Sequence, residues 1–188
     1  CGQGVEQDLD KAFELYLKSA KQGFSYADFE VAKMYRDGIG TDKDEIKSRQ
    51  HFQRAFKGFE CLEQTDKDDK IQYRLGWMLQ NGVGTEKDLT RAKEYYQKSA
   101  KLGNVFSSFA LAKIVLKEEN PEPDEVEKAI EFLKSVADSD DVALKDIKNS
   151  AAYSLGKLFL EGKVMPKNIV QAIHYFETSN EYGNPWAS

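Results

Sequence analysis

The chain of 188 residues carries a formal net charge of −5, with 40% hydrophobic and 31% charged residues, the balance of one ordinary soluble, helix-rich domain. That acidic balance argues against general binding of nucleic acid or anionic membrane, both of which need basic surface. No apolar run approaches the roughly 18 residues of a membrane span, and no basic stretch followed by an apolar one marks a secretory signal.

Residues 1–24 read as half a repeat. Cys1-Gly-Gln-Gly is a turn without its preceding helix, and Asp8–Gln22 forms a helix of the second type, B, ended by Gly23. Residues 25–60 hold a whole repeat: helix A near Ser25–Asp37, a Gly38-Ile-Gly40 turn, and helix B at about Asp44–Glu60. Residues 69–104 show it most clearly, with helix A near Asp69–Asn81, the turn Gly82-Val-Gly84, helix B at Asp88–Leu102 and a Gly103-Asn104 stop. Residues 105–138 keep helix A near Phe106–Glu119 and helix B at Asp124–Asp138, but their turn is rewritten as Asn120-Pro-Glu-Pro123. Residues 146–184 close the series, with helix A near Asp146–Glu161, the turn Gly162-Lys-Val-Met-Pro166 and helix B at Asn168–Tyr182. The final Gly183-Asn-Pro-Trp-Ala-Ser188 matches Gly103-Asn-Val-Phe-Ser-Ser108, where a further helix begins. We therefore expect a single repeat domain over 1–188, about 4.5 repeats long and truncated at both ends. A cytoplasmic location is expected of it, with a secreted or periplasmic one left open because the N-terminus reads as cut.

Columns of residues fix the phase of the repeats. Asp8, Asp44, Asp88, Asp124 and Asn168 are spaced by 36, 44, 36 and 44 residues, each ahead of a helix B. Ala12, Ser48, Ala92, Ala129 and Ala172 form a small column; Tyr16, Phe52, Tyr96, Leu133 and Phe176 form a bulky one. Helix A contributes Ala32, Gly76, Ala112 and Gly156. The longer period comes from two acidic, polar insertions, Cys61–Asp69 and Ser139–Lys145, which project from one edge or extend the flanking helices. Within each pair the apolar residues recur at i, i+3, i+4 and i+7, as on a helix face. One pair of about 35 residues cannot bury that face alone, so neighbours must stack. The expected fold is all-α: an α/α solenoid of antiparallel helix pairs.

The pattern YxLGxxxxxGxGxxxDxxxAxxYxxKSAxxGN, carried by Tyr73–Asn104 and Tyr153–Asn184, resembles the Sel-one-like repeat, a branch of the tetratricopeptide superfamily. The second and fourth copies match with departures: Ala55-Phe-Lys-Gly58 replaces the usual helix B ending, and the fourth copy lacks the Gly-x-Gly turn. The resemblance implies a right-handed superhelix whose A helices line the concave surface. It also implies a non-enzymatic scaffold for protein–protein interaction, with no cofactor. Similar repeats form the tails of plasmid-mobilisation relaxases, so spacer repeats within a larger bacterial protein are the alternative reading. The cysteine-rich secreted branch of the family has a cysteine pair in every repeat. This chain has two cysteines in all, which sets it apart from that branch and its proposed β-lactam binding.

Other residues have plain structural readings. The Asp column suits N-capping, each carboxylate accepting from free N–H groups at the start of helix B. The Gly-x-Gly turns lack the phosphate-loop pattern and follow no strand; their glycines supply positive φ. Cys1 lies in an A–B turn and Cys61 just after a helix B, on opposite edges of the stack, so no bridge is expected. His51 and His174 have no Cys or second His near them in the sequence, and no Ser/His/Asp or Cys/His grouping supports catalysis.

One pair of columns points to binding. After the small residue of helix A stand Lys33, Trp77, Lys113 and Lys157; four residues earlier on the same face stand Phe29, Tyr73, Phe109 and Tyr153. With Arg36 and Arg74 on the same helices, these make an aromatic and locally basic groove. It suits an acidic or C-terminal peptide segment. The other reading packs the aromatics between helices and leaves the lysines in water. Uncapped ends are also expected to self-associate end to end.

Overall fold

The structure is a computed structural model that describes residues 8–141 and 144–181. Cys1 and its turn, and the closing Gly183–Ser188 segment, lie outside the described residues, as do the ends expected to self-associate. Among the described residues there are nine α-helices: α1 (Leu9–Lys21), α2 (Ser25–Asp37), α3 (Glu45–Thr65), α4 (Asp69–Asn81), α5 (Leu89–Lys101), α6 (Val105–Val115), α7 (Pro123–Ala137), α8 (Lys145–Glu161) and α9 (Ile169–Glu181). They gather into two units, Cys1–Leu102 with α1–α5 and Gly103–Ser188 with α6–α9.

In the first unit α2 pairs with α3 and α4 with α5, while α1 packs on α2. Hydrogen bonds at both ends show that the pairs are antiparallel. The Asp88 N–H donates to Leu79 O at 3.0 Å beside the turn, and Ser99 Oγ donates to Asp69 O at 2.6 Å at the far end. The second unit repeats this in α8 and α9, where Asn168 N–H reaches Phe159 O and Ser179 Oγ reaches Asn149 O. This explains the serine of the KSA motif, which is fully buried and ties the end of helix B to the start of its helix A. Such a bond is worth about 1 kcal/mol, more if the carbonyl is left without a partner.

The small and bulky columns interlock. A Cβ on Gly76 would lie 2.8 Å from the Tyr96 ring, and one on Gly156 would lie 2.7 Å from the Phe176 ring. The core of the first unit includes Phe52, Phe59, Leu75, Leu79 and Tyr96; that of the second is built on Leu133, Val136, Ile147, Leu155 and Tyr175. Each fully buried Leu or Phe contributes about 1.5–3 kcal/mol over leaving it in water.

Three expectations from the sequence need correction. First, α3 runs to Thr65, not Glu60. Most of the first insertion is therefore helix, because Cys61–Thr65 contains no Gly or Pro to stop it and Asp66 is the first extended residue. The second insertion is short of helix: Ser139–Asp141 form no helix, and α8 begins at Lys145. Second, α6 stops at Val115 rather than reaching Glu119. Third, Asp8, Asp44, Asp88 and Asn168 cap their helices as expected, each accepting from the N–H three residues on. Asp124 does not. Pro123 takes the first helical position, Glu122 stands at the N-cap without a side-chain bond, and Asp124 lies inside the first turn. Proline suits that position because its fixed φ is helical and it has no N–H to satisfy.

Candidate functional site

Of the residues expected to form the groove, Phe29, Lys33 and Arg36 come from α2, and Tyr73, Arg74 and Trp77 from α4, all in the first unit. Lys113 on α6 and Tyr153 and Lys157 on α8 belong to the second unit.

Phe29 is the hub of the first group. It is buried, and three rings surround it edge-on or tilted: Phe52 at 5.5 Å, Phe59 at 6.1 Å and Trp77 at 5.9 Å between centroids. Its counterpart in the next repeat, Tyr73, packs tilted on Tyr96 at 6.0 Å. Phe29 thus supports the surface from beneath, while Trp77 is only half-buried and presents the rest of its indole outward.

The cations lie over this aromatic layer. The Arg74 guanidinium sits 4.8 Å from the Tyr26 centroid and 5.8 Å from that of Phe29. Lys33 Nζ lies 5.9 Å from the Phe29 centroid and is paired at 2.8 Å with Glu30. Arg36 packs over Phe52 and grips Asp37 with two bonds of 2.8 Å. That contact lowers the Asp37 carboxyl and raises the Arg36 guanidinium from their ordinary values, through the shared hydrogen bonds. Burial raises the phenols of Tyr26 and Tyr73, with Arg74 pulling both back. Of the three cations, Arg74 is the one held wholly by rings in these contacts. An i,i+3 ion pair as accessible as Lys33–Glu30, with side chains 40% and 31% exposed, contributes little and is easily exchanged for a new partner.

In the second unit, Lys113 Nζ lies 5.4 Å from the Phe109 centroid. Tyr153 tilts against Phe176 at 5.7 Å, and Lys157 Nζ reaches Glu161 at 4.0 Å. The ring and lysine columns therefore recur in both units.

Two features lie outside the sequence expectations. Tyr26 stands three residues before Phe29, on the same helix face, a spacing that could have marked it. It forms the outer wall for Arg74 and stands edge-on to Phe59 at 5.0 Å. His51, which has no partner among its sequence neighbours, bonds Asp28 Oδ1 at 2.7 Å, and Arg54 approaches the same oxygen at 3.2 Å. Asp28 stands 23 residues before His51, so only the antiparallel pairing of α2 and α3 brings them together.

Among the described residues no three His, Cys, Asp or Glu side chains form a group able to hold a metal ion, and no helix is long and apolar enough to cross a membrane.

The family model for the Sel1 repeat matches residues 1–24, 25–58, 71–104 and 149–181. No similarity to a curated protein reaches significance. Among solved structures, a Sel1 repeat protein from Oxalobacter formigenes is similar over 99% of this chain and 69% of its own, at 26% identity and a TM-score of 0.63. The protective antigen c5321 of uropathogenic Escherichia coli, described as displaying an SLR fold, is similar over 99% of this chain at 26% identity and a TM-score of 0.54. The chain spans 44% of that antigen's length.

Proposed function

The chain belongs to the Sel1 repeat family, a family of non-catalytic protein-interaction scaffolds, and from that premise we propose that it binds a protein segment on its helix-A face. The observation that carries this reading is the surface formed by α2 and α4. There a half-buried Trp77 stands edge-on to the buried Phe29, and Arg74 is stacked over Tyr26 and Phe29. A large aromatic held rigid from below and flanked by cations is the composition of a binding hot spot. The occupant it suits is an acidic segment, whose carboxylates would meet Arg74 and take Lys33 from Glu30 while an apolar side chain packs on Trp77. Lys113, Tyr153 and Lys157 would offer the same chemistry on the second unit.

The test uses the fluorescence of Trp77, in a Trp186→Phe background so that one indole reports. Titration with a Glu-rich peptide bearing one Leu or Phe should shift the emission and saturate. Trp77→Ala and Arg74→Glu should each weaken binding, read with a labelled peptide, by about tenfold or more. Unchanged affinity in both variants would remove the site from this face. No binding of acidic segments at all would favour spacer repeats.

A further inference from the structure

We propose a second docking groove, in the second unit, for a basic segment that carries apolar side chains. Its origin lies in how the repeats close elsewhere. In two regular repeats the second glycine of the turn packs directly on the main chain of the preceding helix B. Gly40 rests on Leu9 and Asp10 at the start of α1, and Gly84 on Phe52 and Gln53 of α3. A Cβ at either position would collide with a backbone carbonyl. The equivalent residue of the last repeat is Val164. A side chain could not be accommodated at that distance, and Val164 instead lines a cavity together with residues of α7.

A second departure lies in the turn of the fourth repeat. In the regular repeats the capping residue clasps its own helix A: Asp44 N–H to Tyr35 O, Asp88 N–H to Leu79 O and Asn168 N–H to Phe159 O. The equivalent carbonyl of the fourth repeat, Val115 O, accepts instead from Glu118 N–H. Helix α6 ends there, and the 116–122 segment departs as a proline-containing loop.

Between α7, this loop and the 162–166 turn lies a cavity of about 990 Å³. Its floor is Leu116, Val126, Ile130, Leu158 and Val164, all half-buried. All but Val164 rest on the core of the unit, so the floor is fixed from below. The rim carries five glutamates (118, 119, 127, 131 and 161) against three lysines (117, 134 and 163). One of those lysines, Lys163, is already 3.4 Å from Glu161. An apolar floor of this size takes two or three aliphatic side chains, and an acidic rim selects a cationic segment over an acidic one. The charge preference is opposite to that of the α2–α4 surface.

The experiment is fluorescence anisotropy of three labelled peptides of about 14 residues: an amphipathic Lys/Leu peptide, a Lys/Ser peptide of equal charge, and a Glu/Leu peptide. The Lys/Leu peptide should bind at least about tenfold more tightly than either control. Glu127→Lys/Glu131→Lys, at two exposed positions of α7, should abolish that advantage with the helical circular dichroism unchanged. Trp77→Ala should leave it intact, which separates this groove from the α2–α4 surface. Equal binding of the Lys/Ser peptide would reduce the interaction to bulk charge and overturn the proposal. So would undiminished Lys/Leu binding in the charge-reversed variant.

Discussion

Oδ1 of Asp28 lies 2.7 Å from Nδ1 of His51, with the two side chains only 5% and 12% exposed. Arg54 completes the link: it stands 3.2 Å from the same carboxylate oxygen and donates at 3.0 Å to Ala20 O, at the end of α1. The carboxylate therefore ties α2 to α3, and Arg54 carries the link on to α1. Asp28→Ala leaves the part-buried His51 without its acceptor and should cost about 1–3 kcal/mol in urea unfolding. Asp28→Asn keeps a carbonyl acceptor and should cost less. In a cycle with His51→Phe, the double variant should lose less than the sum of the singles, because the groups share one interaction. Strict additivity would show that the contact does not couple α2 to α3.

Tyr96 should govern alkaline stability. It is 1% exposed and donates to Gln80 Oε1 at 2.7 Å. Burial, with a smaller contribution from Tyr73, raises its phenol well above the ordinary value of 10.0. A raised folded-state value means that the unfolded chain gives up this proton first. Stability is therefore complete below pH ~10 and falls as pH climbs beyond it, by up to about 1.4 kcal/mol per unit from this group. Tyr96→Phe should flatten that loss, at a cost of about 1 kcal/mol near neutrality for the missing hydrogen bond. A tyrosinate absorbance signal from Tyr96 appearing before unfolding would contradict this.

The glycine columns predict an ordered series. Gly76→Ala drives a methyl into the Tyr96 ring, which can give a little, and should cost about 1–3 kcal/mol. Gly84→Ala is worse on two counts. Its φ is +72°, and the new Cβ meets the Phe52 carbonyl, which cannot move without moving α3. Gly103→Ala, at φ +89° but with nothing within 4 Å, should show the backbone strain alone. Thermal melts should rank Gly84 as the most sensitive and Gly103 as milder.

The helices and their phase were legible because short-range rules set them: the 3.6-residue period, a cap residue, and glycine at the turn. The end of α3 was misplaced because its true stop, the extended Asp66, carries no Gly or Pro signal. Asp124 misled because its column was right while Pro123 moved the helix start by two residues, which puts Glu122 at the N-cap. The partner of His51 was invisible because it depends on tertiary pairing. Counting in repeats recovers it: His51 occupies the ring position that holds Tyr95 and Tyr175 in other copies. Its stacking on Tyr35 at 5.8 Å matches that of Tyr175 on Phe159, also at 5.8 Å. The Trp77 column was legible as a pattern. That Phe29 lies under it and that Tyr26 walls Arg74 required the packing of α2 on α3 and α4.

Two aspartates in one sequence column should respond differently to the same change. Asp88 caps α5: its Oδ1 accepts from Arg91 N–H at 3.0 Å, and its own N–H clasps Leu79 O. Asp88→Ala removes the first of these and should cost about 1 kcal/mol, within the usual range for a lost N-cap. Asp124 has the same place in the repeat but stands within the first turn of α7, where it adds only a charge near the positive end of the helix dipole. Asp124→Ala should therefore cost about 0.3–1 kcal/mol at low salt and less as salt screens that charge. The salt dependence is the discriminating measurement. A loss at Asp124 as large as that at Asp88, and insensitive to salt, would mean that Asp124 caps the helix after all and that Pro123 lies outside it.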